Sequence, residues 1–192
     1  MNYSWWNYPE KVEPDYIDDI ITRCDKVPKF EGRVGAVRSD NTDLNKSLRN
    51  SKIAFLDRYE HQDIFNLMQN LAVQANNEAY GFDINTLELA QFTTYKGKDK
   101  GKYDWHNDIA WVSPNNMYHR KVSIIIQLSD PSNYEGGEFE MEDANFSEQD
   151  KIDLAKKGSV ITFPSFINHR VKPVTKGTRM SLVGWMLGPK FK

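Results

Sequence analysis

The chain changes character near residue 85, and that change limits what it can fold into. Upstream, two segments carry helical periodicity. In Pro14 to Val27, Ile17, Ile20, Ile21 and Cys24 fall on one face, and Pro14 suits a first helical turn. In Gln62 to Tyr80, Ile64, Leu67, Met68, Leu71, Ala75 and Ala79 form a long apolar stripe, with Gly81 as the stop. Downstream the period shortens to two. Leu87 to Tyr95 alternates, placing Leu87, Leu89, Gln91, Thr93 and Tyr95 on one face, and Val122 to Leu128 is rich in β-branched residues. Further short strands are expected over residues 136–141, 159–163, 169–174 and 180–187, separated by Gly and Pro turns. Ser147 to Lys157, closed by Gly158, fits a short helix or an ordered acidic loop. Many short strands behind a helical preamble predict an α+β, mainly β architecture, a sandwich or jelly roll buttressed by N-terminal helices.

A length of 192 residues with no internal repeat or linker predicts one domain over 1–192, with 1–85 as helical support and 86–192 as the strand core. The net charge of -2 gives no global reason to expect a nucleic-acid or anionic-membrane partner. A lone cysteine, Cys24, excludes an intrachain disulfide and reads as a buried thiol on a helix face. No apolar run approaches the ~20 residues needed to span a bilayer, and Met1 to Trp6 lacks the pattern of a secretory signal. A soluble, cytoplasmic protein is the expectation. No oligomeric interface stands out.

One constellation carries chemistry: His106-Asn107-Asp108, then His169, then Arg179-Met180-Ser181. Two histidines and a carboxylate hold one face of an octahedral iron(II) and leave the other open. The His-x-Asp tripeptide alone is weak, since composition gives about half of one by chance. Its setting is stronger. Tyr103 and Trp105 surround His106 with aromatic rings, and the apolar run from Phe163 leads to His169. Arg179 and Ser181 have the spacing of one strand face. A buried guanidinium needs an anionic partner, and no acidic residue lies between His169 and the C-terminus. A ligand carboxylate would satisfy it. Zinc hydrolysis is the rival metal chemistry, but it leaves Arg179 and Ser181 unexplained and has no evident glutamate base. His61 and His119 are not required and read as surface residues. The lysine-rich Tyr95 to Tyr103 segment fits either a solvated hairpin or a mobile lip over a substrate. The acidic run from Glu138 to Asp153 fits either the opposite rim or plain surface.

From about Leu87 to Pro189 the sequence resembles the iron(II)- and 2-oxoglutarate-dependent oxygenases, particularly the prolyl 4-hydroxylase-like branch with its small bacterial and phage members. The likeness lies in the ordered series Gln91 to Tyr95, Tyr103 to Asp108, Arg120 to Ser123, Gln127 to Pro131, Tyr134 to Glu138 and Phe163 to Phe166. It continues through His169 to Val171, Pro173-Val174, Gly177 to Arg179 and Ser181 to Trp185; Arg49 to Leu56 and Asn76 to Phe82 look like the preamble. The resemblance implies a double-stranded β-helix (jelly roll) with His106, Asp108 and His169 on iron. It implies Arg179 on the distal carboxylate of 2-oxoglutarate, Ser181 beside it, Tyr95 lining the same pocket and Gln127 where relatives often carry a tyrosine. Trp185 near the metal and Tyr103 nearer the entrance are the implied substrate-side residues. The implied activity is hydroxylation of an unactivated C–H bond, with oxygen consumed and succinate and carbon dioxide released. Ascorbate is the expected reductant, and a prolyl residue in a peptide or protein the expected target. Another side chain, a small molecule, or a non-catalytic jelly-roll binding module remain as alternatives. A bacterial or phage-infected cell is the implied setting.

Overall fold

The computed structural model describes residues 3–34, 45–109, 117–142 and 144–192. From the N-terminus its strands are β1 (Trp6–Tyr8), β2 (Phe30–Glu31), β3 (Arg49–Asn50), β4 (Lys52–Phe55), β5 (Leu87–Lys96) and β6 (Lys102–His106). They continue as β7 (Tyr118–Gln127), β8 (Tyr134–Gly136), β9 (Phe139–Met141), β10 (Val160–Pro164), β11 (His169–Val171) and β12 (Val174–Pro189). The helices are α1 (Pro14–Asp25), α2 (Gln62–Ala75) and α3 (Glu148–Ala155). A major sheet runs β1-β10-β7-β12-β5-β4-β2, with β8 paired to the start of β12. A minor sheet runs β3-β6-β11-β9. The ladders are antiparallel, giving the mainly β, two-sheet architecture that the strand count predicts.

Alternation on the major sheet explains how the helices and the interior divide it. Ala90 and Phe92 of β5, Ile124 and Ile126 of β7, and Leu182 of β12 point to one face. There they pack against Ile17, Ile20 and Cys24 of α1 and Ile64, Phe65, Met68 and Leu71 of α2. The apolar stripe of α2 continues through a π turn (Asn76–Tyr80), and Gly81 ends it at φ 66°. Cys24 is a buried free thiol. On the α3 segment, Ser147 and Asp150 form a reciprocal capping box, which selects helix over loop.

The opposite face of the same strands is turned toward the minor sheet and is unexpectedly polar. Gln91, Thr93, Ser123, Gln127, Arg179 and Ser181 are all buried there, among Ile125, Ile161, Phe163 and Met141. Interior polar groups on this scale mark a site, because each must find a partner. Two features depart from the sequence reading. The N-terminal half supplies strands as well as helices, since β1 to β4 join the sheets. His61 and His119 are buried rather than superficial; the His61 ring nitrogen Nδ1 lies 3.1 Å from Asp57 O, and His119 Nδ1 accepts the Phe191 N–H at 3.2 Å. The lysine-rich segment, left open between a solvated hairpin and a lip, is exposed at Lys98 to Lys100 and anchored on either side, where Val174 N–H donates to Gly101 O at 2.9 Å and Gly97 packs on the Lys176 backbone. Among the described residues, no helix is long and apolar enough to cross a membrane.

Candidate active site

His106 and His169 face each other as direct partners across β6 and β11. A register shift between His169 and Val171 sets two β6 residues, Asp104 and Trp105, against Arg170 alone. This bulge matters because residues three apart on a regular strand face opposite sides. Here Tyr103 and His106 turn to the same side, and their rings stack with centroids 3.4 Å apart and 12° between planes. Asp108 is not on that strand, which ends at His106. The two-residue spacing still delivers it, through a turn anchored where Asp108 N–H donates to Ser165 O at 2.8 Å.

The three side chains converge. His106 Nε2 lies 3.8 Å from Asp108 Oδ1, and His169 Nε2 lies 3.6 Å from Asp108 Oδ2. One ligand atom from each falls within 4.8 Å of the others, and they are the metal-ligand cluster found among the described residues. Each imidazole is oriented by its far nitrogen: His106 Nδ1–H donates to Asp104 O at 2.8 Å and His169 Nδ1–H to Ile167 O at 3.0 Å. That fixes the tautomer with Nε2 free to ligate. Burial, then the neighbouring His169, pushes His106 down to about 3, so its ring is neutral at pH 7 as a ligand must be. Burial alone would raise Asp108, yet the imidazoles, Arg120 and the Ser123 hydroxyl hold it below the usual carboxylate range.

Ser123 Oγ–H donates to Asp108 Oδ2 at 2.7 Å and lies 3.0 Å from Ser165 Oγ. Both hydroxyls are fully buried, so the carboxylate is held in one rotamer before any metal arrives. Ser123→Ala is expected to weaken metal binding by about 10–100-fold. Cobalt(II) titration under argon, followed by calorimetry, checks this; an unchanged affinity would contradict the orienting role.

Further along the same face, Arg179 and Gln127 line a hollow with Ile125, Phe139, Leu154, Ser159 and Ile161. Register places Arg179 opposite Tyr95 and Ser181 between Thr93 and Gln127, so Tyr95, Gln127, Arg179 and Ser181 come together. Arg179 is 4% exposed and forms no ion pair among the described residues; its Nη1 has no hydrogen-bond partner. Its guanidinium carbon sits 5.7 Å from the centre of the Tyr95 ring. Gly137, at φ 71°, makes room for it: a Cβ there would lie 3.0 Å from Arg179 Cδ. Gln127 Nε2 donates to Ser129 O and to Tyr134 Oη, each at 3.1 Å, which leaves its Oε1 unpartnered. Trp185 stands opposite Ser123 in the register, with an unpartnered Nε1–H and Arg120 stacked 3.9 Å over its ring. Three orphaned polar groups beside a metal-ligand cluster describe a chamber built for a polar ligand.

Sequence reasoning missed Ser123, Ser165 and Tyr134 as supporting residues, and Arg49 and Arg120 as nearby cations. Ser123 was within reach, since alternation back from Gln127 through Ile125 puts it on the same face. Within the acidic run, Glu140 is engaged by Arg170 at 2.6 Å and Glu138 lies near Lys172, while Phe139 between them lines the hollow; Asp143 lies outside the described residues.

A family model described as the 2OG-Fe(II) oxygenase superfamily matches residues 90–187. A PKHD-type hydroxylase from Idiomarina loihiensis is 31% identical over 181 residues, covering 91% of this chain and 73% of the relative. One from Gloeothece citriformis is 44% identical over 72 residues, or 38% of this chain and 31% of the relative. Against that relative and those from Synechococcus and Crocosphaera subtropica the chain spans less than half their length. Among solved structures, a viral collagen prolyl hydroxylase from Paramecium Bursaria Chlorella virus-1 superposes with a TM-score of 0.70 at 17% identity over 97% of each chain. A prolyl hydroxylase from Trichoplax adhaerens, in complex with a hypoxia inducible factor peptide fragment, gives 0.73 at 18% identity over 96% of this chain and 84% of that one. The chain belongs to the 2OG-Fe(II) oxygenase superfamily and has the jelly-roll fold of that family.

Proposed function

We propose that the chain is an iron(II)- and 2-oxoglutarate-dependent dioxygenase that hydroxylates a prolyl residue in a peptide or protein. The observation that carries the chemistry is the buried Arg179, orphaned in a hollow on the major-sheet face that is turned toward the minor sheet and its cluster of two histidines and a carboxylate. The cluster fits iron(II): two imidazoles whose Nε2 atoms are left free by their Nδ1 hydrogen bonds, an ionised carboxylate, and one protein-lined face. When bound, iron would supply open positions for 2-oxoglutarate and oxygen and the power to oxidise an unactivated C–H bond, with succinate and carbon dioxide as co-products.

The chain's own residues bind, orient and dry the site. His106, Asp108 and His169 are the ligands, with Ser123 keeping Asp108 in place. Arg179 grips the distal carboxylate of 2-oxoglutarate through charge-assisted hydrogen bonds, and Ser181 lies beside it. Gln127 and Tyr95 complete the walls. Tyr103 and Trp185 line the approach of the substrate, Trp185 offering its free Nε1–H. Phe139, Ile125 and Ile161 exclude water, which strengthens each of these polar contacts. Ascorbate serves as reductant, and a cytoplasmic setting suits a chain whose one cysteine is a buried thiol.

The prolyl target is supported by the resemblance of Leu87 to Pro189 to the prolyl 4-hydroxylase-like branch and by the prolyl hydroxylases that share its fold. Incubation with iron(II), ascorbate, 2-oxoglutarate and proline-rich peptides, read by mass spectrometry, tests it. The expected product is a +16 Da adduct on proline, the mass of one oxygen atom. Succinate release with no peptide adduct, or an adduct confined to a metabolite pool, would reject proline as the target.

A further inference from the structure

A second arginine is buried without a carboxylate. Arg49, on β3 at the edge of the minor sheet, is 7% exposed and has no ion pair among the described residues. Its Nε donates to Ser51 Oγ at 3.0 Å and its Nη1 to Arg33 O at 3.1 Å. Gly32 permits this seat, since a Cβ there would lie 2.6 Å from Arg49 Nε and 2.4 Å from Ser51 Oγ. These bonds fix the guanidinium 4.4 Å over the Tyr103 ring. The Tyr103 ring is itself stacked on His106, with centroids 3.4 Å apart. Arg49, Tyr103 and His106 are thus linked by consecutive ring contacts across β3 and β6, whose register pairs Arg49 with Tyr103.

We infer that Arg49 is a positioning residue for the metal centre, acting through Tyr103 to hold the His106 imidazole at its ligating angle. The His106 Nδ1–H bond to Asp104 O restrains the ring at one point and leaves rotation about that bond open. A flat ring pressed against the imidazole closes that freedom. Tyr103 can only do so if something backs it, and Arg49 is the backing. Burying a charged group here is costly, and a stack that orients a ligand is a use that offsets the cost. Beyond the metal-site reading, on which it rests, the inference assigns to the N-terminal half a direct part in the centre.

The test is cobalt(II) affinity of the full chain under argon, with the cobalt absorption spectrum recorded at saturation. Arg49→Met, which keeps the stem and removes the guanidinium, is expected to weaken binding about tenfold and to alter the spectrum. Tyr103→Leu should do the same, and Arg49→Lys should fall between. Arg58→Met is the control, since the Arg58 guanidinium lies the same 4.4 Å over Phe65 elsewhere in the fold; it should leave the affinity unchanged. Wild-type affinity and spectrum in Arg49→Met would overturn the inference. If Arg49→Met does not fold, wild-type affinity in Tyr103→Leu overturns it instead. A wild-type chain that binds no cobalt would overturn the metal-site reading itself, a separate outcome.

Discussion

Replacing His106 or Asp108 with alanine is expected to abolish turnover and to lower metal affinity by at least about 100-fold. The magnitude follows from the arrangement: removing a residue that merely orients a ligand typically costs 10–100-fold, and these residues are the ligands. The two variants should differ in stability. His106→Ala removes a neutral ring and opens a space beside Tyr103. Asp108→Ala removes the acceptor for the Ser123 hydroxyl and the negative charge facing two imidazoles. Calorimetric titration with iron(II) under argon, alongside succinate release, measures both effects. Full turnover in both variants would remove the cluster from the mechanism.

Arg179→Met is expected to separate binding from stability. In the presence of 2-oxoglutarate the guanidinium makes charge-assisted hydrogen bonds worth about 1.5–3 kcal/mol each, so losing a bidentate pair costs roughly 100-fold or more in affinity. Lysine does not restore it, because an ammonium lacks the planar fork that matches a carboxylate. Without ligand the sign reverses. Arg179 is a buried cation with an unpartnered Nη1, a condition that destabilises the empty protein. The methionine variant should therefore unfold at the same temperature as wild type or a higher one. Adding 2-oxoglutarate with a catalytically inert metal should raise the wild-type unfolding temperature and leave the variant unmoved. Thermal unfolding with and without the diacid measures all four numbers. A variant that loses stability while keeping 2-oxoglutarate affinity would assign Arg179 to the scaffold.

Much of this site was legible in the sequence for one physical reason: strands alternate. Once Leu87 to Tyr95 and Met180 to Leu187 are read as strands, Gln91, Thr93 and Tyr95 share a face, as do Arg179 and Ser181. The α2 stripe was legible by a different period, the 3.6 residues of a helical turn, and its end by Gly81, which takes the left-handed cap conformation. What stayed hidden depends on departures from regularity or on pairing between distant segments. The β6 bulge that stacks Tyr103 on His106 leaves no periodic mark. Strands β1 to β4 are two to four residues long, too short to show a period, so the N-terminal half reads as helix alone. Arg49 carries no local signal at all, because its place is defined by Gly32, Ser51 and Tyr103 across three separate segments. His61 and His119 looked superficial because composition alone says nothing of which backbone groups a histidine can reach.

The most direct test of the whole account is the conversion of 2-oxoglutarate to succinate by the purified chain in the presence of oxygen. The account predicts succinate formation that requires iron(II), stops when oxygen is removed, and disappears in Arg179→Met at 2-oxoglutarate concentrations that saturate wild type. Turnover of a hydrolysable substrate with zinc under argon, and no succinate with iron in air, would contradict it.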